Sequence, residues 1–349
     1  GFDAVLGARG SKLQLVLNAI FHLEASPGNI AAADFEAIRR HPAVKTAIPI
    51  AVGDNLRGYR IVGTLPELLG SVAYAPDKVH RLAAGRLFAP DAHEAVVGSF
   101  AAARLGLKVG DTFHPYHGLT FDEKTRHAET YTVTGVLAPS NTPADRVIWI
   151  PLAGVQTMSG HDPRAASDVS AVLVQLRSPT AGFMLDLMYN RQGNRLTFAY
   201  PVGAIVAELF GKIAWFDRVL TLIAYLVALV AAAAVLAGIY NSMSARQRDL
   251  AILRALGARR RTVFGAVLGE AVTIGVLGTV AGLAVHAGLF AVTAELIRAQ
   301  TGVVLTLAVW HPVYWLAPAG MVGLCALGGI LPAVKAYRIP VADTLAPVS

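Results

Sequence analysis

RQRDLAILRALGARRR, residues 246–261, carries six arginines and one aspartate around a spine of leucines, and an apolar run lies on each side of it. The run before it, residues 219–239, contains no charged residue. A helix of about 20 apolar residues is long enough to cross the roughly 30 Å of hydrocarbon in a bilayer. Apolar runs that flank a basic stretch predict a membrane protein with an α-helical transmembrane bundle. Three spans are expected, at about 216–240, 262–297 and 313–335.

The composition also indicates a membrane protein. Only 15% of the 349 residues are charged, against about a quarter in a typical soluble domain, and the mean hydropathy is +0.52. Residues 1–215 hold 20 of the 30 Lys and Arg and 18 of the 23 Asp and Glu, as an ordinary water-exposed surface does. Because most of the later basic residues lie in 246–261, we interpret the net charge of +7 as membrane topology, not nucleic-acid binding.

The positions of lysine and arginine predict the orientation of the spans, because cytoplasmic loops carry an excess of these residues. The 246–261 loop and the tail with Lys335 and Arg338 are therefore expected in the cytoplasm. The loop between the second and third spans carries only Glu295 and Arg298 and is expected outside. This alternation places the long segment before the first span on the outer side of the membrane.

An external domain of this size needs a signal for export. The chain begins at Gly1, and residues 1–40 contain neither a signal peptide nor an apolar run long enough to span. We therefore expect a fourth span before Gly1. The intact topology would then be one span, a large external domain and three further spans.

Residues 1–212 are predicted to form a large mixed α/β extracytoplasmic domain, followed by a transmembrane domain over 213–349. Short runs rich in β-branched residues, such as 131–137, predict strands and alternate with helical patterns. The last segment before the first span, 186–208, is expected to be a helix with a break near Pro201.

Catalytic signatures are missing from the sequence. It contains no GxxxxGK[ST] pattern, and GARGSK at 7–12 has the wrong spacing for one, so we interpret that segment as a structural turn. HExxH and GxSxG are also missing, so zinc-protease and serine-hydrolase functions lack their usual marks. We therefore expect that the chain is not an enzyme and binds no cofactor itself.

Three histidines lie close together in the external domain, His114, His117 and His127, with Asp122 and Glu123 between them. Imidazole and carboxylate groups at short spacing bind zinc. The spacing matches no standard metal motif, however, so a solvated loop is the favoured interpretation. The three histidines are the only metal candidates, and no metal site is predicted.

Polar and small residues inside the second span are candidates for function or packing. Glu270 lies about two turns into this span; an intramembrane carboxylate is a functional candidate, and a position near the cytoplasmic interface or facing a partner helix is an equal alternative. Gly278 and Gly282 form a GxxxG pattern that predicts close helix packing or, more specifically, the seam of a homodimer.

The basic stretch itself is predicted to form a short amphipathic helix over 246–258. Leu250, Leu253 and Gly257 follow one helical stripe, and a glycine is a natural helix stop. Arginines that only fix topology and contact anionic lipid are one interpretation. They would not require an ordered leucine stripe, which favours a helix that docks in a partner's groove.

Two motifs carry a resemblance to a known family. RQRDLAILRALGARRRTVF resembles the coupling segment of FtsX-like, MacB-type ABC transporter permeases, the mechanotransmission or type VII class, in which Asp249 stands where a Glu is usual. LPAVKAYRIPVADTL, residues 331–345, resembles the closing motif of the same family through Pro332, Arg338 and Pro340. Glu270 also falls where many members carry a Glu. The residues to which the resemblance assigns coupling are Arg246, Arg248, Asp249, Leu250, Leu253, Arg254, Ala255 and Gly257.

The resemblance implies a MacB-like periplasmic domain in a multi-pass protein of the bacterial inner membrane. It implies a homodimer and a separate cytoplasmic ABC ATPase subunit, which would bind ATP and magnesium. ATP-driven motion of the coupling helix would then do conformational work in the periplasm, with an adaptor or lipoprotein as a further partner. Lipoprotein, peptide or small-molecule cargo would be extracted or exported.

Two other functions remain open from the sequence. An FtsX-like regulatory protein would use the same machinery to activate a periplasmic enzyme through the external domain. A membrane-anchored metal-binding domain is the third hypothesis, and its only support is the His114–His127 segment. An apolar groove or pocket in the external domain would favour lipid or lipoprotein cargo.

Overall fold

The computed structural model of the chain describes residues 1–159, 167–307 and 311–337. The chain divides into two units. The first contains Gly1–Lys212 together with Leu296–Leu305, and the second contains Ile213–Glu295 and the described residues from Thr306 onward. The contiguous domains predicted from the sequence place 296–305 in the second unit, whereas the fold places this segment in the first.

The first unit is a mixed α/β domain with thirteen strands among the described residues. Its strands are β1 (Ala4–Ala8), β2 (Val44–Leu56), β3 (Tyr59–Thr64), β4 (Ala73–Ala75), β5 (Lys78–Val79), β6 (Leu82–Gly85), β7 (Glu94–Val97), β8 (Thr112–Phe113), β9 (Tyr116–His117), β10 (Tyr131–Leu137), β11 (Ile148–Pro151), β12 (Ala171–Leu176) and β13 (Leu196–Ala199). Its helices are α1 (Lys12–Ala19), α2 (Ala32–Arg39), α3 (Glu67–Gly70), α4 (Ser99–Leu105), α5 (Leu152–Gln156) and α6 (Pro179–Asp186).

One long sheet runs through this unit in the order β13-β1-β12-β2-β3-β11-β7-β10-β6, with β8 paired to β10 and β9 to β2. The β3–β11 and β7–β10 pairs are parallel and the others are antiparallel. Strand residues contribute to different cores in alternation: Val5 packs in one apolar cluster and its neighbours Ala4 and Leu6 in another. Because successive side chains of a strand point to opposite faces, this sheet is covered on both faces.

The segment that leads to the first apolar helix differs from the prediction. The expected helix is wrong before Pro201, because the chain forms a π-helical turn over Leu187–Gln192 and then β13. The predicted break near Pro201 is confirmed, since a helix begins at Val202. The side chain of Asn190 donates to the carbonyl of Phe198 at 2.8 Å and accepts from its N–H at 3.0 Å, and Phe198 is fully buried. Pairing with β1 and burial of this aromatic ring outweigh the local helical preference.

The second unit is helical. It contains most of α7 (Val202–Ala245), α8 (Gln247–Ala255), most of α9 (Arg260–Thr301) and α10 (Val313–Tyr337). By length and composition, α7, α9 and α10 are each able to cross a membrane. Both α7 and α9 extend beyond the predicted spans, since α7 begins at Val202 and α9 ends at Thr301.

The three long helices pack through a small apolar core. Ile239 of α7, Val263 and Val267 of α9 and Ala333 of α10 are buried together. Gly275 of α9 lies so close to α10 that an added Cβ would stand 2.9 Å from the Cβ of Cys325. Small residues permit such close approach of helices.

Candidate functional site

Helix α8 is a short, sharply ended helix between α7 and α9. Asp249 lies in its first turn and Arg254 in its last, so both charges complement the helix dipole. Gly257 takes a φ of +98°, which strains any residue with a Cβ. The N–H of Ala258 donates to the carbonyl of Leu253 at 3.0 Å and that of Gly257 to Arg254 at 3.1 Å, the bond pair of a Schellman motif. The helix stop expected at Gly257 is therefore confirmed.

Most of the described apolar side chains of α8 and its C-cap are exposed. Leu253 is 51% exposed, Leu256 is 80% exposed and Ile252 is 43% exposed, whereas Ala251 is fully buried. Arg246, Arg248, Asp249 and Ala255 are also exposed, and Arg254 is half-buried. The side chain of Leu250 lies outside the described residues. An exposed leucine surface rimmed by arginines is suited to bind a partner.

Two further sequence candidates, Glu270 and Pro332, lie in the long helices of the second unit. Glu270 is half-buried and accepts a hydrogen bond from the hydroxyl of Ser242 at 3.4 Å, which joins α9 to the end of α7. Pro332 is buried in α10. Arg338 and Pro340 lie outside the described residues.

The GxxxG pattern does not make the closest helix contacts in the described chain. A Cβ added at Gly278 or Gly282 would meet no described atom within 4 Å. The close contacts are at Gly275 and Gly329, where an added Cβ would stand 2.9 Å from Cys325 and 2.5 Å from the Cβ of Ala271. A homodimer seam at Gly278 and Gly282 stays a prediction.

The end of α9 and the following loop are held to the sheet domain by contacts that the sequence analysis missed. The amide of Asn141 accepts from the N–H of Val304 at 2.5 Å and donates to its carbonyl at 3.3 Å. Arg146 Nε donates to the carbonyl of Ala299 at 2.9 Å. Arg298 lies over the ring of Phe100, with its Cζ 5.4 Å from the centroid. We call these six residues the outer clamp; all belong to the first unit.

A buried carboxylate shapes the loop that carries Asn141. Asp145 is 3% exposed and accepts hydrogen bonds from the N–H and hydroxyl of Ser140 and from the N–H of Asn141, at 2.8 to 3.0 Å. Asn141 is thereby held at a φ of +55°, a conformation that asparagine tolerates better than most residues. Its amide is therefore fixed toward Val304.

The fold places two of the three candidate histidines together and the third elsewhere. Nε2 of His127 lies 3.0 Å from Oδ1 of Asp54, and Nδ1 of His117 lies 3.4 Å from the same oxygen. His114 faces elsewhere, with its Nδ1 3.0 Å from the carbonyl of Glu129. The cluster in the fold therefore consists of His117, His127 and Asp54, which the sequence analysis did not consider, and it does not include His114.

A mostly apolar cavity of about 270 Å³ opens in the first unit beside His22 and His80. His22 is 8% exposed and meets Trp149 edge-on at 5.5 Å between ring centroids. Its Nδ1 has no hydrogen-bond partner among the described residues. Burial, assisted by the positive charge of Arg60, lowers the pKa of His22 from 6.5 to about 3. His22 is therefore neutral at pH 7.

Acidification is expected to destabilise the sheet domain through His22. The depressed pKa means that the unfolded chain takes up a proton below pH 6.5 while the folded chain stays neutral down to about pH 3. Stability from this group is complete above pH 6.5 and falls with pH, by about 2 kcal/mol at pH 5. Thermal unfolding followed by tryptophan fluorescence should show the melting temperature of the wild type dropping between pH 7 and pH 5. The drop should be smaller in His22→Asn, which tolerates the φ of +55°; an equal drop would assign the pH effect to other groups.

Two family models match the chain. The FtsX-like permease C-terminal model matches residues 221–341, and the MacB-like periplasmic core domain model matches residues 8–182, half of the chain. No protein among the curated ones matches.

Two solved structures are similar to the chain. The periplasmic region of MacB from Actinobacillus actinomycetemcomitans is 12% identical, with a TM-score of 0.39, over 59% of this chain and 91% of that one. The extracellular domain of the noncanonic ABC-type transporter YknZ from Gram-positive bacteria is 16% identical, with a TM-score of 0.35, over 56% and 97%.

Proposed function

This chain belongs to the FtsX/MacB-type permeases of ABC transporters, and from that premise we propose that it converts ATP hydrolysis by a separate cytoplasmic subunit into conformational work outside the membrane. One observation carries the proposal: α8 presents exposed Leu253 and Leu256 between two apolar helices and ends in a fixed Schellman turn. We take α8 as the coupling helix. The ATPase subunit supplies the nucleotide and magnesium.

Docking on α8 would combine apolar burial with charge. A groove in the ATPase that buries Leu253 and Leu256 gains about 1.5–3 kcal/mol for each side chain fully covered. The exposed arginines around them, Arg246 and Arg248, would select an acidic rim and orient the partner. Because Gly257 and the bonds of Ala258 fix the end of α8, a push on this helix is passed to the start of α9.

Helices α7 and α9 connect α8 to the sheet domain, that is, to the first unit, which is also called the outer domain below. The first residues of α7, Val202–Lys212, and the segment Leu296–Leu305 at the end of α9 both belong to the sheet-domain unit. Each helix exceeds 40 residues, so at 1.5 Å per residue each is about 60 Å long. The outer clamp ties the second of them to the sheet domain. A movement at one end of α9 therefore has a direct mechanical connection to that domain.

The cavity beside His22 favours cargo with an apolar part. It is lined by apolar and aromatic side chains such as Phe2, Leu68 and Trp149, which suits an acyl chain or an apolar peptide side chain. We propose extraction or export of a lipoprotein, peptide or small molecule. An FtsX-like regulatory role, in which the outer domain activates an enzyme, is the alternative. It predicts a protein partner on the domain and no effect of apolar ligands on the ATPase.

The proposed setting is a multi-pass protein in the bacterial inner membrane with the sheet domain in the periplasm. Two copies pair as a homodimer, and the face of α9 with Gly278 and Gly282 is open to a second copy in the described chain. An adaptor or lipoprotein is the proposed periplasmic partner.

Reconstitution tests the proposed function directly. The full chain and its ATPase subunit are placed in nanodiscs, and ATP hydrolysis is compared with that of the ATPase alone. We expect a stable complex with hydrolysis changed several-fold by the permease, and a further change when an acylated peptide is added. A complex whose hydrolysis ignores acylated peptide but responds to a periplasmic protein would favour the regulatory role. Failure of the two proteins to associate would overturn both.

A further inference from the structure

We propose that Asp54, His117 and His127 form a zinc site on the outer domain. One ligand atom from each residue lies within 4.8 Å of the other two. Two imidazoles and a carboxylate are a donor set used for Zn²⁺ with a fourth position left open. Imidazole ligands favour Zn²⁺ and its neighbours over Ca²⁺ and Mg²⁺. The site shares no residue with α8 or the outer clamp, and it adds to the proposed function.

The fold brings the three residues together from distant parts of the sequence. The register of β2 shifts between Val52 and Asp54, and Asp54 then pairs with His117 of β9. The backbone N–H of His127 donates to the carbonyl of Pro115 at 2.9 Å, which returns the chain to the same place. Strand pairing therefore holds Asp54 beside His117, and a backbone hydrogen bond holds His127 beside them.

His127 is held with one ring nitrogen toward Asp54. Nδ1 of His127 lies 2.7 Å from the carbonyl oxygen of Ser159, and Nε2 lies 3.0 Å from Oδ1 of Asp54. A cation bound between Nε2 and Oδ1 would be coordinated by both atoms. Histidine ligands of metals commonly donate their other ring N–H to a backbone carbonyl in this way.

The distances and exposure suit a metal that enters from solvent. Ligand atoms around tetrahedral Zn²⁺ are about 3.3 Å apart when the bonds are about 2.0 Å; the observed separations from Asp54 Oδ1 are 3.0 and 3.4 Å. The side chains of Asp54 and His127 are 0% and 5% exposed, whereas that of His117 is 56% exposed. Two ligands are thus held in the domain and the third closes the site from outside, where water can take the fourth position.

Zinc would fix the polar segment between the two histidines to β2. Asn55, next to Asp54, already donates to the carbonyls of Gly118 at 2.9 Å and Thr120 at 3.2 Å. A metal bond to His117 and His127 closes a short loop beside these contacts and reduces its freedom to open. We therefore expect slower amide hydrogen exchange in residues 117–127 when zinc is present.

Metal analysis of the full chain tests this site. The chain is purified in detergent without a histidine tag, stripped with a chelator, incubated with ZnCl₂ and passed over a desalting column. We expect about one zinc per chain by mass spectrometry of the metal, and about tenfold weaker binding or worse in His117→Ala and Asp54→Asn. His114→Ala is the matched control, because His114 lies in the same segment and faces Glu129; it should bind as the wild type does.

Two results would overturn the proposal. One is wild-type protein that retains less than about one zinc per ten chains at micromolar zinc. The other is equal zinc binding by His117→Ala and His114→Ala. Since His117 is exposed, its loss should leave the fold intact, and an unchanged melting temperature of the stripped His117→Ala protein verifies this. Tetrahedral absorption bands after replacement by Co²⁺, lost in His117→Ala, would give independent support.

Discussion

Leu253→Asp is expected to prevent the chain from holding its ATPase subunit. Leu253 is 51% exposed in the chain alone and lies on the apolar side of α8. A groove that covers a leucine must desolvate the new carboxylate without a prepared partner, which is costly. Buried anchor residues of interfaces are worth about 2 kcal/mol or more, so we expect affinity to fall by roughly 30-fold or more. Copurification and coupled ATP hydrolysis should both be lost.

Two controls separate docking from misfolding. Leu23 is a leucine of similar exposure, 45%, on the outer domain. Leu23→Asp introduces the same carboxylate at a position distant in the sequence from α8, and it should leave the ATPase bound and active. Leu253→Met keeps an apolar side chain of similar volume and should retain most of the affinity. Arg254→Glu, which reverses a charge in the last turn of α8, should weaken binding as well.

The opposite result would change the function assigned to α8. An unchanged complex and unchanged hydrolysis in both Leu253→Asp and Arg254→Glu would mean that the arginines only fix membrane topology. The chain would then be better described as a membrane-anchored outer domain.

Opening the outer clamp is expected to uncouple hydrolysis from the outer domain. The change is Asn141→Gly together with Arg146→Ala, which removes the bonds to Val304 and Ala299. Glycine keeps the positive φ that residue 141 requires. Each lost hydrogen bond is worth about 0.5–1.5 kcal/mol, enough to free the 296–305 segment without unfolding the sheet. ATPase binding and hydrolysis should persist because α8 is untouched.

Hydrogen exchange with and without a trapped nucleotide measures this uncoupling. In the wild-type complex, nucleotide trapping should change amide exchange in the outer domain. In the clamp variant this change should be reduced by more than half. The matched control is Asn190→Ala, because the amide of Asn190 makes the same pair of backbone bonds, to Phe198, away from α9. A nucleotide response in the clamp variant equal to that of the wild type would show that α9 does not transmit through this contact.

Local patterns in the sequence predicted the features that depend on neighbours in the chain. Three apolar helices follow from long runs of mostly apolar residues, and the stop of α8 follows from one glycine that can adopt a positive φ. The features that the sequence missed depend on distant pairs. His127 meets Asp54 across 73 positions, and Asn141 meets Val304 across 163. Neither pair leaves a periodic signal, because its members are far apart in the sequence and meet only in the folded chain.

The error in the segment before Pro201 has the same origin. Leu196–Ala199 is a strand because β1, from the other end of the domain, supplies its hydrogen-bond partners. A residue's own helical preference is worth less than 1 kcal/mol, and ladder pairing with burial of Phe198 exceeds it. The closing family motif around Arg338 and Pro340 lies outside the described residues, so its role stays a prediction.

The pairing of β1 with β13 sets how the outer domain can be pulled. The chain enters the sheet at Asp3 and leaves it at Val202, and the N–H of Val202 donates to the carbonyl of Asp3 at 3.0 Å. In an antiparallel pair the hydrogen bonds lie perpendicular to the strands. A force that drew Asp3 and Val202 apart would break the hydrogen bonds between β1 and β13 one after another. A force that carried both points together would load none of them. A movement of α7 that carried Val202 and Asp3 together would therefore displace the sheet domain as a whole and leave the pairing of β1 with β13 intact.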